Sequence, residues 1–440
     1  MNCLGCAACV AACPVAASDG RFAGPKVLGP ALERHRDGGW PGEPALTPAQ
    51  VEALGARLCL GCHRCDLACP SGIEVSAAVR RAKTLAASQP TGAWQSFRER
   101  LLRDQERLGR LVALAGGTRR LLRRVGPRLS RRIEGQAAGT LGLSPYRALP
   151  LASGPSLARW LARTRDPVAE RGRPPVLLFA GCHGRFHDPG VPRDAARVLR
   201  AAGYRVLLPS QLCCGSPALS QGDEELAARA AEANLRFLGL ASARFGGGVP
   251  VVSPCPSCTL ALRDTLPAFT GGPEAARLAE HAWDLGEFLA GPAREALMAA
   301  LDGALAARAG EPSSPVGAEA AARSDAPHLP WLYHTPCHLR ALGVGRPFPA
   351  LLSALASATA RDAGPASDGC CGVGGLNGLT RDGHAASLAA GGPVLEAYRT
   401  LARENPSVLS DCPVCRWQIA DATGLPTAHP VQRLAALLGD

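Results

Sequence analysis

Two runs of cysteine carry the chemistry at the start of this chain. Cys3, Cys6, Cys9 and Cys13 follow the spacing C-x2-C-x2-C-x3-C and are closed by Pro14; Cys59, Cys62, Cys65 and Cys69 repeat it and are closed by Pro70. Short gaps let a loop wrap a metal-sulfide cube and point successive thiolates inward. In a paired arrangement three cysteines of one run hold one 4Fe-4S cluster, and the fourth, before Pro, reaches the other. The spacing therefore assigns Cys3, Cys6, Cys9 and Cys69 to one cluster and Cys59, Cys62, Cys65 and Cys13 to its neighbour. Each x3-C-P is expected to open a helix, since Pro is tolerated in a first helical turn. The alternative is two structural four-cysteine zinc sites, although zinc favours C-x2-C pairs separated by longer spacers.

The other ten of the eighteen cysteines form two sets of five in the same order. The first is Cys182, the pair Cys213-Cys214 ahead of Gly215, and Cys255-Pro-Ser-Cys258. The second is Cys337, Cys370-Cys371 ahead of Gly372, and Cys412-Pro-Val-Cys415. The interval from Cys214 to Cys255 equals that from Cys371 to Cys412, which marks an internal duplication. Successive side chains on a regular strand face opposite ways, so each Cys-Cys-Gly belongs on a turn where glycine permits unusual dihedrals and close approach. Five soft ligands exceed what one zinc ion takes. A vicinal or C-x2-C redox disulfide competes for part of a set, and the expected cytosolic compartment weighs against it.

The elements that position these thiols are legible around them. "PVLLFAGC", "LPWLYHTPC", "VPVVSPC" and "PSVLSDC" are short apolar runs ending near a cysteine, each read as a buried strand. Between two of them, Ala195, Val198, Leu199 and Ala202 recur at helical spacing, with Gly203 as a stop and an apolar strand beyond it. Strand, helix and strand in alternation predict α/β domains with mostly parallel sheets, whose ligand sites gather at the carboxyl ends of the strands.

Composition sets the outer limits. A chain of 440 residues with 47% hydrophobic content can bury two or three cores. No cationic and apolar leader precedes the first run, and no apolar run is long enough to span a bilayer, so a cytoplasmic protein, peripheral at most on the inner face of the cell membrane, is expected. The net charge of +11 is concentrated: residues 98–132 hold twelve arginines against Glu99, Asp104 and Glu106. There Leu101, Leu108 and Leu111 lie to one side of a basic amphipathic pattern, read as a helical connector facing solvent or a partner, with an anionic membrane surface as the second reading. No aromatic-basic module accompanies it, and nucleic acid is not expected. Residues 309–328, rich in Ala, Ser, Pro and Gly, read as a linker. His334 and His338 flank Cys337 and are the candidates for a proton relay, weighed against plain hydrogen bonds to backbone or cluster sulfur. "CCGVGGLNGL" offers Gly372, Gly374 and Gly375 but has Asn377 where a dinucleotide fingerprint needs its third glycine, so neither a flavin nor a nicotinamide site is read there.

A double four-cysteine run followed by two Cys-Cys-Gly repeats resembles the iron-sulfur subunits related to heterodisulfide reductase, glycolate oxidase and anaerobic glycerol-3-phosphate dehydrogenase. "FAGPKVLGPALERHRDGG", "YHTPCHLRALG" and "DCPVCRWQIADATGLPTAHPVQRLA" are most similar to the iron-sulfur branch of the last. The resemblance implies one or two further iron-sulfur clusters in the repeats, possible noncubane ones included. It would place them on Cys182, Cys213, Cys214, Cys255 and Cys258, and on Cys337, Cys370, Cys371, Cys412 and Cys415. It also implies a partner subunit that carries FAD and oxidises sn-glycerol 3-phosphate to dihydroxyacetone phosphate, with electrons passing through this chain toward a quinone or a quinone-reducing partner. A heterodisulfide-reductase-like catalytic subunit and a glycolate or lactate oxidase iron-sulfur subunit are the alternatives.

The expected fold is mixed, α+β with α/β. A mainly helical, double 4Fe-4S ferredoxin-like domain spans 1–85 and a basic helical connector 86–170. Two pseudo-repeated, Rossmann-like α/β Cys-Cys-Gly domains follow at 171–308 and 329–440, on either side of the linker.

Overall fold

The computed structural model describes residues 2–36, 46–89, 93, 96, 100, 101, 103–111, 139, 140, 142–144, 156–309, 331–355, 368–402 and 406–439. Most of the basic segment and nearly all of the expected linker lie outside the described residues. Among those that are described, Leu108 is buried whereas Leu111 is 52% exposed. The chain divides into two compact units.

One unit comprises residues 1–149, 215–230 and 369–396, so the segment after the first Cys-Cys pair, and the second pair with the segment after it, belong with the amino-terminal region. Its described part is helical. Ala8–Ala11, Pro14–Ser18 and Arg64–Leu67 are short helices within or after the cysteine runs, and Pro48–Ala53 and Val75–Ala87 form the scaffold. Thr47 and Gln50 close a reciprocal capping box at the start of Pro48–Ala53, which satisfies amide groups that a helix start otherwise leaves orphaned. On Val75–Ala87 the residues Val75, Ala78, Val79, Ala82 and Ala86 recur at helical spacing and are buried with Leu28 and Val51. Lys83 interrupts that apolar stripe yet is only 4% exposed.

The other unit comprises 150–214, 231–368 and 397–440 and holds two parallel sheets. Strands β1 (Pro175–Leu178), β2 (Arg205–Leu207), β3 (Val251–Ser253) and β4 (Ala282–Asp284) lie in the order β2-β1-β3-β4. Strands β5 (Trp331–Tyr333), β6 (Ser407–Leu409) and β7 (Thr427–Ala428) lie in sequence order. Adjacent Leu177 and Leu178 on β1 point to opposite faces, and both are fully buried, as parallel strands covered on both sides require. Leu178 faces a core that also includes Phe288, Tyr333, Phe348 and Leu409, so the two sheets share one hydrophobic interior. Each large apolar side chain removed from water there contributes roughly 1.5–3 kcal/mol. The helix expected between β1 and β2 is Gly190–Ala201, ended by Gly203 with φ 87°. No helix among the described residues is long and apolar enough to cross a membrane.

Candidate iron-sulfur sites

Both four-cysteine runs adopt the same backbone. Gly5 and Gly61 have φ 74° and 62°, and Ala7 and His63, each two residues further on, have φ 61° and 58°. Among the described residues Ala7 and His63 are the non-glycine positions with positive φ. A left-handed conformation there costs about 1–2 kcal/mol, and in both runs it falls between the second and third cysteines. Cys3, Cys6, Cys9 and Cys69 line one pocket, together with Lys26 and Val75. Cys59, Cys62 and Cys65 act electrostatically on one another and on Cys13. Burial pushes the Cys62 thiol up to about 12 and raises Cys9, Cys13 and Cys65, with neighbouring thiols adding to the rise. The helix expected after each run forms at Pro14, with Cys13 as its N-cap residue. After Cys69 it does not: Pro70 and Ser71 make a turn, and the next helix waits until Val75. Ser76, just inside that helix, donates through N and Oγ to Asp66, which also meets His63 Nδ1 at 3.0 Å. Burial raises Asp66, but these bonds outweigh it and hold the carboxyl below its ordinary value.

The first set of five thiols is brought together by three loops at the carboxyl ends of strands. Cys182 lies in the helix Gly181–Phe186 after β1, Cys213 and Cys214 on the turn after β2, and Cys255 at the N-cap of Pro256–Leu260 after β3. Cys213 Sγ lies 3.4 Å from Cys182 Sγ and also interacts with Cys214; Cys258 interacts with Cys214 and Cys255. The five sulfurs thus form one continuous chain of contacts. Thiol neighbours, then burial, push Cys213 and Cys258 well above the ordinary thiol value. Gly181, at φ 63°, allows this crowding, because a Cβ there would stand 2.8 Å from Cys258 Sγ. Two supports escape a cysteine-based reading. Gln211 Oε1 accepts from Gly181 N at 3.1 Å, and Asn234 spans Leu212 N and Cys213 O at 2.8 and 3.1 Å. Their only signal in the sequence is Gln211 two places before the pair.

Of the second set, Cys337 opens the helix Cys337–Ala341 after β5, and Cys412 caps Pro413–Thr423 after β6, with Cys415 in its first turn. Cys370 and Cys371 belong to the other compact unit, on a turn where Gly372 has φ 87° and donates its N–H to Cys370 Sγ at 3.3 Å. His334 is buried, and its Nδ1 has no hydrogen-bond partner. His338 bonds Ser257 Oγ through Nδ1 at 2.7 Å, so the residue beside Cys337 touches the Cys255-Pro-Ser-Cys258 segment of the first set.

Two four-thiol runs, and a crowded set of five thiols of which Cys213, Cys214 and Cys258 are buried, suit metal-sulfide chemistry. The comparisons agree. Residues 1–73 match the family model of the 4Fe-4S dicluster domain, and residues 176–263 and 331–420 each match that of the cysteine-rich domain. The chain is an iron-sulfur protein of dicluster and cysteine-rich domains. It is 27% identical over 442 residues to one subunit of the anaerobic glycerol-3-phosphate dehydrogenase of Escherichia coli K12, covering 99% of this chain and 98% of that one. It is 22% identical over 291 residues to one subunit of the fumarate reductase (CoM/CoB) of Methanothermobacter marburgensis, covering 66% of this chain and 47% of that one. A 70-residue stretch, 16% of this chain, is 37% identical to 14% of an uncharacterized iron-sulfur protein of Methanocaldococcus jannaschii.

Proposed function

We propose that this chain is the electron-transfer subunit of a membrane-associated, flavin-dependent dehydrogenase and carries electrons from sn-glycerol 3-phosphate oxidation toward the (mena)quinone pool. The observation that carries this reading is similarity along 99% of the chain to one subunit of an anaerobic glycerol-3-phosphate dehydrogenase. It is supported by eighteen cysteines that all fall in ligand-type constellations. Four ligand sets follow: Cys3, Cys6, Cys9 and Cys69; Cys59, Cys62, Cys65 and Cys13; and the two sets of five. Iron-sulfur clusters, when bound, supply one-electron transfer at potentials set by burial, hydrogen bonding and net charge. The chain's part is to hold the thiolates, exclude water and place donors around them. FAD belongs to the partner subunit. The two sheets are read as Rossmann-like halves of a duplicated region, and the basic segment 98–132 as the contact with a partner or with anionic lipid on the cytoplasmic face.

The test is anaerobic co-purification with the flavin subunit, followed by addition of glycerol 3-phosphate. Reduction of the chain's EPR-active centres is expected, and centres that stay oxidised while the flavin is reduced would overturn the assignment. A heterodisulfide-reductase-like role is the second reading, favoured by the similarity over 291 residues to the CoM/CoB-type fumarate reductase. Reoxidation of the reduced centres by a mixed disulfide, but not by a quinone analogue, would select it. For the basic segment, neutralising Arg119, Arg120, Arg123 and Arg124 should weaken sedimentation with anionic vesicles. Unchanged sedimentation would assign the segment to solvent or to a partner protein.

A further inference from the structure

The stretch from Gly372 to Asn377 matches no nucleotide fingerprint, and packing inside the amino-terminal unit supplies another reason for its glycines. Gly374 has φ 56°, and a Cβ there would stand 2.5 Å from Leu60 Cδ2 and 2.9 Å from Leu60 Cα. Gly375 has φ 64°, and its Cβ would stand 2.8 Å from Ser220 Cβ. The loop after the second Cys-Cys pair therefore lies directly on Leu60 of the second four-cysteine run. It also lies on the segment that follows the first Cys-Cys pair.

Hydrogen bonds lock this arrangement around one ligand candidate. Asn377 Nδ2 donates to the carbonyl oxygens of Arg57 at 2.8 Å and Cys59 at 3.0 Å, and Asn377 Oδ1 accepts from Gln221 Nε2 at 2.8 Å. Leu376 N donates to Ser220 Oγ at 3.1 Å. Lys83 Nζ donates to the same Cys59 carbonyl at 2.5 Å and to that of Ser220 at 3.0 Å. Asn377 and Lys83 are 9% and 4% exposed. In the first run a lysine contact falls on a different carbonyl, Lys26 Nζ to Gly5 O at 3.1 Å, which is exposed to solvent and involves neither post-Cys-Cys segment.

We propose that Asn377 is a positioning residue for the second ferredoxin-type site. With Lys83 and Ser220 it fixes the Cys59-Leu60 backbone and places buried donors beside it. The properties of the second-run site, and not of the first, then depend on the segments that follow the two Cys-Cys pairs. This rests on the reading that both runs hold 4Fe-4S clusters. Outer partners of ligating residues commonly govern metal affinity by 10–100-fold and tune potential.

The experiment compares Asn377→Ala and the milder Ser220→Ala with the unaltered full chain, co-purified with its flavin subunit. Cys6→Ser and Cys62→Ser variants assign EPR signals to the first and second runs. A redox titration followed by EPR should show the second-run midpoint lowered in Asn377→Ala, with the first-run midpoint unmoved. A chelator should strip iron from the second-run site about tenfold faster. Ser220→Ala should act in the same direction, more weakly, and decides the matter if Asn377→Ala does not fold. Two ferredoxin-type signals that both stay put, or that shift equally, would overturn the positioning role. The absence of those signals from the unaltered protein would instead overturn the cluster assignment on which it rests.

Discussion

Cys62 and Cys13 are held above the ordinary thiol value chiefly by burial, and Cys213 and Cys258 chiefly by the thiols beside them. At neutral pH these thiols are protonated when no metal is bound, so loading must release protons and is favoured as pH rises. Cys69 lines the pocket of Cys3, Cys6 and Cys9 although it lies far along the chain. Cys69→Ser should therefore alter the first-run EPR signal and spare the second; loss of the second-run signal alone would contradict the cross-ligation. A second residue-scale effect concerns Asp284 and Asp411. Burial lifts Asp411 to about 6, and burial together with the Asp411 charge lifts Asp284 well above its ordinary value. A carboxyl raised by folding contributes stability below its unfolded pKa of about 3.9, and that contribution is lost as pH climbs through the folded value. Melting temperature should accordingly fall as pH rises from about 4 through about 6. Asp284→Asn retains a helix-capping side chain and removes one charge of the pair, so it should flatten the fall. An unchanged slope in that variant would contradict the pairing.

At the scale of elements, glycine marks where backbones must meet. A Cβ on Gly372 would stand 2.0 Å from Ser387 O and 2.6 Å from Gly391 N, at φ 87°. Gly61 has φ 62° but nothing within 4 Å. Gly61→Ala should cost only the left-handed penalty of about 1–2 kcal/mol. Gly372→Ala adds about 1–3 kcal/mol or more of overpacking and should displace Cys370 and Cys371, lowering iron content while the ferredoxin-type signals persist. Equal stability and equal iron in the two variants would count against that role of the turn. The strands ending near Cys182, Cys255, Cys337 and Cys412 were legible because short apolar runs and a fixed cysteine order announce them locally. The helix expected at Pro70 was not formed, since Pro permits a first turn without requiring one and Ser76 is instead committed to Asp66. Gln211 and Asn234 left no periodic trace, because each serves backbone groups brought near by the fold.

For the whole molecule, the duplication and the two four-cysteine runs are visible in spacing alone, whereas the membership of the compact units is not. Residues 215–230 and 369–396 join the amino-terminal region through long-range packing, whose only sequence traces are a lone lysine on an apolar helix stripe and an asparagine at the end of a glycine-rich loop. Neither announces a partner before the chain is folded. The central claim is that all eighteen cysteines serve four iron-sulfur sites, and it is tested most directly by iron and acid-labile sulfide per chain, with EPR of the reduced protein, after anaerobic purification with the flavin subunit. Four filled four-iron sites give about sixteen irons. About eight, with only the two ferredoxin-type signals, would contradict the claim and leave the Cys-Cys-Gly sets without clusters.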